Sequence, residues 1–179
     1  MPLPLLTERL LIRAFEPEDL QALHEIYGDP EVTRWIPPYP TLEHTRRALG
    51  LHVAGGRNGG PAFWAVIERS SGDLIGDAGM APLDGGPDLE LGYTLGRRWW
   101  GRGYATEAAQ ACLAEAFGPL GTSRVVALIR PGNRASIAVA EKLGLCLEGR
   151  RAAHGGAEHL LYAASASGSD SEGASSGSW

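Results

Sequence analysis

The hydrophobic positions of this chain switch between two periods. In "TERLLIRAF", Leu10 and Ile12 alternate with Arg9 and Arg13, the two-residue period of a strand with one face toward a core. The period then lengthens. Leu20, Leu23, His24 and Tyr27 recur at helical spacing behind Glu16-Pro17-Glu18-Asp19, where an early Pro and first-turn acids mark a helix start. Gly28-Asp29-Pro30 ends that helix. A second helix is expected from near Thr41 to about Val53, and "GGRNGG", Gly55 to Gly60, reads as a flexible loop.

Strand patterning returns at "AFWAVIER", Ala62 to Arg69, which is aromatic and β-branched with no breaker. "SSGD" turns the chain and "LIGDAGMAPL" brings it back, so the pair reads as a hairpin. "LELGYTL", Leu89 to Leu95, is the next strand. A helix from Tyr104 to Phe117 stops at Gly118-Pro119. "RVVALIR", Arg124 to Arg130, is apolar between two Arg, as a strand covered on both faces is. "NRASIAVAEKLG" has Asn133 at a helix N-cap, Lys142 in the last turn and Gly144 past the end. "LCLEGRR" and "EHLLYAA" give a last pair of strands. The order β-α-α-β-β-β-α-β-α-β-β predicts a mixed α/β domain, its central strands covered by helices.

Composition narrows the functional classes. At 179 residues the chain is near the length of one domain with a sizeable core. We take residues 1–164 as that domain. Ser165 to Trp179 is Ser/Gly-rich with little to bury and reads as a disordered tail. A net charge of −5 argues against a nucleic-acid-binding surface or a polybasic membrane patch. The exception is local: Arg97, Arg98 and Arg102 lie close together. The N-terminal stretch is interrupted by Arg9 and Arg13 and reads as no signal peptide. No apolar run approaches the roughly 18 residues of a membrane span. Cys112 and Cys146 lack partners at metal-ligand spacing, so no metal is expected. Both read as small buried hydrophobes, and so few cysteines suit a reducing cytoplasm.

The candidate chemistry begins at "RRWWGRGYATEAAQ", Arg97 to Gln110. A strand, a glycine turn and a helix N-terminus make an anion site, because the first helical amides lack internal partners and sit at the positive end of the dipole. Gly101 and Gly103 remove Cβ atoms where a phosphate would approach, and Arg98 and Arg102 add charge. Glu107, in the first turn, is expected to point away from a bound anion. The loop is not a Walker A sequence, lacking Gly-Lys-Ser/Thr, and "GRGYAT" is not a dinucleotide fingerprint. Taken alone it is equally an ordinary turn before a helix.

The flanking chain decides between the two. "LELGYTLGRRWWGRGYATEAAQACLAEAF", followed by "RVVALIRPGNRASIAVAEKLGLCLEG", resembles the GNAT N-acetyltransferases, specifically their RimJ/RimL-like branch that modifies ribosomal proteins. Arg98-Trp99-Trp100-Gly101-Arg102-Gly103 matches the family's Gln/Arg-x-x-Gly-x-Gly/Ala motif, and Asn133-x-x-Ser136 fits the branch. The likeness covers roughly residues 3–163. It implies the GNAT fold, a mixed central sheet with a splayed pair of parallel strands flanked by helices. It implies that the Gly101 to Ala105 amides, through Tyr104, and Arg98 and Arg102 hold the pyrophosphate of acetyl-CoA. Tyr93 and Leu95 would pair their backbone with the pantetheine arm, and Asn133 would bond that arm or a site water. Gly144-Leu145-Cys146 departs from the family's usual Gly-Phe, a change expected to affect packing. A homodimer is common for such folds.

The implied reaction is direct attack of an amine on a thioester. It needs a base for the ammonium, donors for the oxyanion and a proton for the departing thiolate. Glu90, the acid of the family's "ELGY" pattern, is the candidate base. Ser136 is the candidate proton donor or relay. Trp35, Tyr39 and His154 are candidate acceptor-site residues, with His159 and Asp77 as further titratable groups. Trp99 and Trp100 are assigned to packing. Two classes remain open: an acetyltransferase acting on a protein N-terminal α-amine or a small amine, and a non-catalytic acyl-CoA-binding sensor.

Overall fold

The computed structural model describes residues 4–56 and 61–166. Eight strands form one sheet in the order β1-β2-β3-β4-β5-β6-β8-β7. They are β1 (Leu5–Leu6), β2 (Leu10–Arg13), β3 (Phe63–Glu68), β4 (Leu74–Pro82), β5 (Leu89–Leu95), β6 (Arg124–Ile129), β7 (Cys146–Ala153) and β8 (Ala157–Ser165). The helices are α1 (Leu20–Tyr27), α2 (Leu42–Gly56), α3 (Tyr104–Phe117) and α4 (Arg134–Lys142). Every neighbouring pair is antiparallel except β5 and β6.

Alternation along the strands builds two cores. Leu10, Ile12, Trp64 and Val66 face α3, whose inner face is Ala108, Ala109, Cys112 and Ala116. Those small side chains let the helix lie close on the sheet. Ala65 and Ile67 face the other way and join Leu23, Ile26, Tyr27 and Leu49 from α1 and α2. Burial pushes the Cys112 thiol up to about 12, so it is an inert part of the core. Cys146 departs from its expected burial: it opens the edge strand β7 and is exposed.

The second core holds a polar inclusion. Asp77, 1% exposed, accepts a hydrogen bond of 2.9 Å from the Tyr27 hydroxyl. The ring of His52 lies 3.4 Å from the same hydroxyl through Nε2. Burial raises the Asp77 carboxyl to about 7, against the pull of the Tyr27 hydrogen bond. Burial lowers His52 to about 4. The two groups act on stability with opposite sign. Between about 4 and 7 the folded state holds a proton on Asp77 that the unfolded chain has released, so this contribution falls as pH rises. Between about 4 and the ordinary His value the unfolded chain holds a proton that buried His52 lacks, so this one rises. Asp77→Asn removes only the first. In denaturation series at several pH values, the variant is expected to gain steadily on the wild type as pH rises from about 4 to about 7. A pH-independent gap would show that Asp77 titrates as an ordinary carboxylate.

The tail expected from Ser165 falls outside the described residues beyond Ala166, but Ser165 itself closes β8 opposite Arg124. Of the expected glycine loop, Gly55 and Gly56 belong to α2, and the remainder lies outside the described residues.

Candidate active site

The parallel pair separates almost as soon as it forms. Leu89 pairs with Val125 and Glu90 with Val126, and no further partners follow. From Leu91 to Leu95, β5 stays paired with β4 on its other side, from Met80 to Gly76. One backbone edge of β5 is therefore left open toward β6, as the resemblance implied.

At the open end, Gly101 and Gly103 both adopt left-handed backbone, with φ of 73° and 82°. A non-glycine residue is disfavoured there. Gly103 is the N-cap of α3, and no side-chain hydrogen bond caps the helix. The amides of Tyr104, Ala105 and Thr106 thus lack helical partners and are available to an anion. A Cβ at Gly101 would meet nothing within 4 Å, so the space before the loop is clear.

Glu107 points away, as expected. It accepts from the Thr7 hydroxyl at 2.6 Å, the Arg9 amide at 2.8 Å and Arg9 Nε at 2.7 Å. Burial pushes its carboxyl up, but these bonds and the Arg9 charge outweigh that and hold it below the usual range. The start of α3 is thereby fastened to the turn before β2.

The two Trp have separate jobs. Trp100 donates its indole N–H to the Leu95 carbonyl at 2.7 Å, tying the loop to the end of β5. It is 46% exposed, so it is a latch and not core packing. The Leu95 carbonyl, expected to meet pantetheine, already accepts this bond. Trp99 packs edge-on to Tyr104 at 5.8 Å, with the guanidinium groups of Arg98 and Arg102 over its ring at 5.0 and 5.4 Å. Arg98 also pairs with Asp73 at 3.1 Å in the β3–β4 turn. Neither Arg98 nor Arg102 lines the cavity beside the loop.

Two cavities meet along the open edge. One, of about 370 Å³, runs beside Thr94, Leu95, Trp100, Gly101, Gly103 and the first residues of α3. The other, of about 540 Å³, is lined by Phe63, Glu90, Gly92, the end of β6, His154 and His159. Trp35, Ile36, Tyr93, Thr94, Asn133 and Ser136 line both. They are two lobes joined at the centre of the groove. Asn133 caps α4 by accepting from the Ser136 amide at 3.2 Å, which orients both residues at the junction. The Tyr93 hydroxyl donates to the Ser136 carbonyl at 3.4 Å. Burial raises the Tyr93 pKa above the ordinary value, against a smaller lowering by the Ser136 side chain.

The larger lobe brings the expected carboxylate and histidine together. His154 Nε2 lies 2.7 Å from Glu90 Oε1. A carboxylate can only accept, so with Glu90 ionised the proton sits on Nε2. His159, 4% exposed, directs Nδ1 at the Ala157 carbonyl at 2.8 Å, so in a neutral ring the lone pair is on Nε2. The two rings stand edge to face at 5.3 Å. Trp35 lines both lobes, but Tyr39 lines neither: its ring stacks on Tyr27 at 4.6 Å in the second core. Asp77 also lies in that core. Sequence reasoning missed Phe63, whose ring occupies the space above Gly92, where a Cβ would come within 2.9 Å of it. It also missed Arg34 and Arg130. Among the described residues no cluster of His, Cys, Asp and Glu could hold a metal ion, and no helix is long and apolar enough to cross a membrane.

The sheet is thus opened at one parallel pair, with the uncapped amides of α3 at the mouth of the gap. A family model described as "Acetyltransferase (GNAT) domain" matches residues 9–145, and the chain belongs to that acetyltransferase family. Members of the family use acetyl-CoA. The chain is 34% identical over 144 residues to the uncharacterized protein YkkB of Bacillus subtilis, covering 79% of this chain and 84% of that one. It is 25% identical over 155 residues to the ribosomal protein uS5-alanine N-acetyltransferase of Escherichia coli, covering 81% and 79% respectively. Its structure superposes with a TM-score of 0.80 on a GNAT-family acetyltransferase from Bacillus anthracis, at 30% identity over 91% of this chain and 98% of that one.

Proposed function

We propose that this protein transfers an acetyl group from acetyl-CoA to a primary amine, either a protein N-terminal α-amine or a small-molecule amine, by direct attack. The observation that carries the reading is the placement of three features along one groove. The uncapped amides of α3 lie at one end, the Glu90–His154 pair at the other, and the unpaired edge of β5 between them.

The residues present fit the donor. Gly101 leaves the approach to the α3 amides clear, and the open edge of Leu91 to Leu95 can pair with an amide-bearing arm. Acetyl-CoA supplies the activated acetyl group as a thioester. Glu90 takes the proton from the attacking ammonium, held in place by the His154 Nε2–H. A backbone amide on the open edge of β5 stabilises charge on the carbonyl oxygen. Ser136, at the junction of the lobes, hydrogen-bonds the departing thiolate or relays to it a proton taken up from solvent.

The test is thiol release from acetyl-CoA against a panel of peptides and small amines. The expected result is amine-dependent release that saturates with the acceptor. Tight CoA binding with no release for any amine would make the protein an acyl-CoA sensor instead. Failure to bind CoA would overturn both readings.

A further inference from the structure

The charges of the larger lobe are sorted in a way the transfer chemistry does not use. The protein is acidic overall, at −5. Many of its arginines are held by carboxylates: Arg9, Arg13, Arg97, Arg98, Arg124 and Arg151 all have such partners. Arg34 and Arg130, like Arg102 and Arg134, have no such partner among the described residues. Arg34 and Arg130 are exposed and both line the lobe that holds Glu90. Among the described residues, neither side chain forms an ion pair or hydrogen bond.

The fold brings these two cations to one rim. The Trp35 ring packs against Gly132, where a Cβ would come within 2.8 Å of its edge. That contact joins the 3-10 turn Thr33–Trp35 to the loop between β6 and α4. Arg34 stands just before Trp35, its guanidinium 5.0 Å from the indole centre, and Arg130 opens the loop. Stacking on a ring restricts an arginine and leaves its edge donors free for an anion.

The distance to the amine end decides which anion fits. Glu90 is level with Val126, four residues before Arg130 along β6. At strand rise that is about 13 Å, shortened by the reach of the side chains. The ammonium and carboxylate of a free amino acid are adjacent and cannot serve both ends. An extended peptide advances about 3.3–3.6 Å per residue, so one to three residues span the gap.

We infer that the acceptor is a peptide amine with an acidic side chain within its first few residues. Glu90 takes its N-terminal ammonium, and Arg34 and Arg130 take the carboxylate. This rests on the acetyl-transfer reading for its chemistry but predicts binding independently of it. The probes are two amidated peptides, Ala-Ala-Asp-Ala and Ala-Ala-Asn-Ala. They are compared by thiol release with acetyl-CoA and by calorimetric binding in the presence of desulfo-CoA, which permits no transfer. In the wild type the Asp peptide is expected to lead by about tenfold in both assays, the equivalent of one charge-assisted contact. The double variant Arg34→Gln, Arg130→Gln should bring the ratio near one, acting on KM and not on kcat.

Equal or better use of the Asn peptide by the wild type would overturn the inference, as would an Asp preference that survives the double variant. Acetylation of small amines with neither peptide bound would overturn it and leave the acetyl-transfer reading standing. If no amine releases thiol, the transfer reading fails, and the calorimetric ratio alone decides the inference.

Discussion

With Glu90 replaced by Gln, amine acetylation at neutral pH is expected to slow by about 10²–10³-fold, the usual worth of a positioned general base. The geometry makes the substitution a clean one. Gln keeps the shape and can still accept a hydrogen bond from His154 Nε2, which lies 2.7 Å away in the wild type. Only the capacity to take a proton is lost. Glu90 lies at the closed end of the groove, where β5 and β6 still pair, and the α3 amides lie at the other end. The dissociation constant for CoA should therefore stay close to wild type. Stopped-flow turnover and calorimetric CoA binding separate the two effects. A variant with wild-type kcat and an unchanged pH–rate profile would remove Glu90 from the reaction.

The second large effect concerns the loop. Gly101→Val is expected to raise the dissociation constant for CoA by about tenfold or more. Two costs add. At φ 73° a branched residue is strained, by about 1–2 kcal/mol for the left-handed region. Relief of that strain would turn the loop amides away from a phosphate. The side chain would also project into the clear space before the loop, since nothing of the protein lies within 4 Å of a Cβ there. For the same reason the variant should fold. Calorimetry with CoA, alongside thermal unfolding, reads both. Unchanged affinity in a folded variant would show that the anion does not bind here.

Local signals made most of this architecture legible. The helix expected over Tyr104 to Phe117 has those bounds, because Gly103 and Gly118-Pro119 punctuate it in the chain itself. Asn133 caps α4 through a bond to a residue three positions on. The separation of β5 from β6 came through the family resemblance, and the sheet register bears it out. What escaped depends on partners distant in sequence. Nothing local says that the Trp100 indole meets the Leu95 carbonyl, or that Tyr39 stacks on Tyr27 and leaves the groove. Phe63 was readable as a strand residue, but its position over the groove follows from Gly92 on another strand. Cys146 was expected inside because free cysteines usually are; its strand lies at the sheet edge, which only the strand order reveals. The pairing of Glu90 with His154 joins residues 64 apart, and each was visible only singly.

The small inner face of α3 has a consequence far from where it packs. A helix of 14 residues is a rod about 21 Å long. Glu107 pins one end of it to Thr7 and Arg9, and Ala116 rests on the sheet near the other. The pin is a fulcrum. Any bulk added beneath the turn that carries Ala116 would tilt the rod and swing the amides of Tyr104 and Ala105 the opposite way. The aim of the N-terminal end of α3 is thus set partly by the thinness of an alanine about three turns distant.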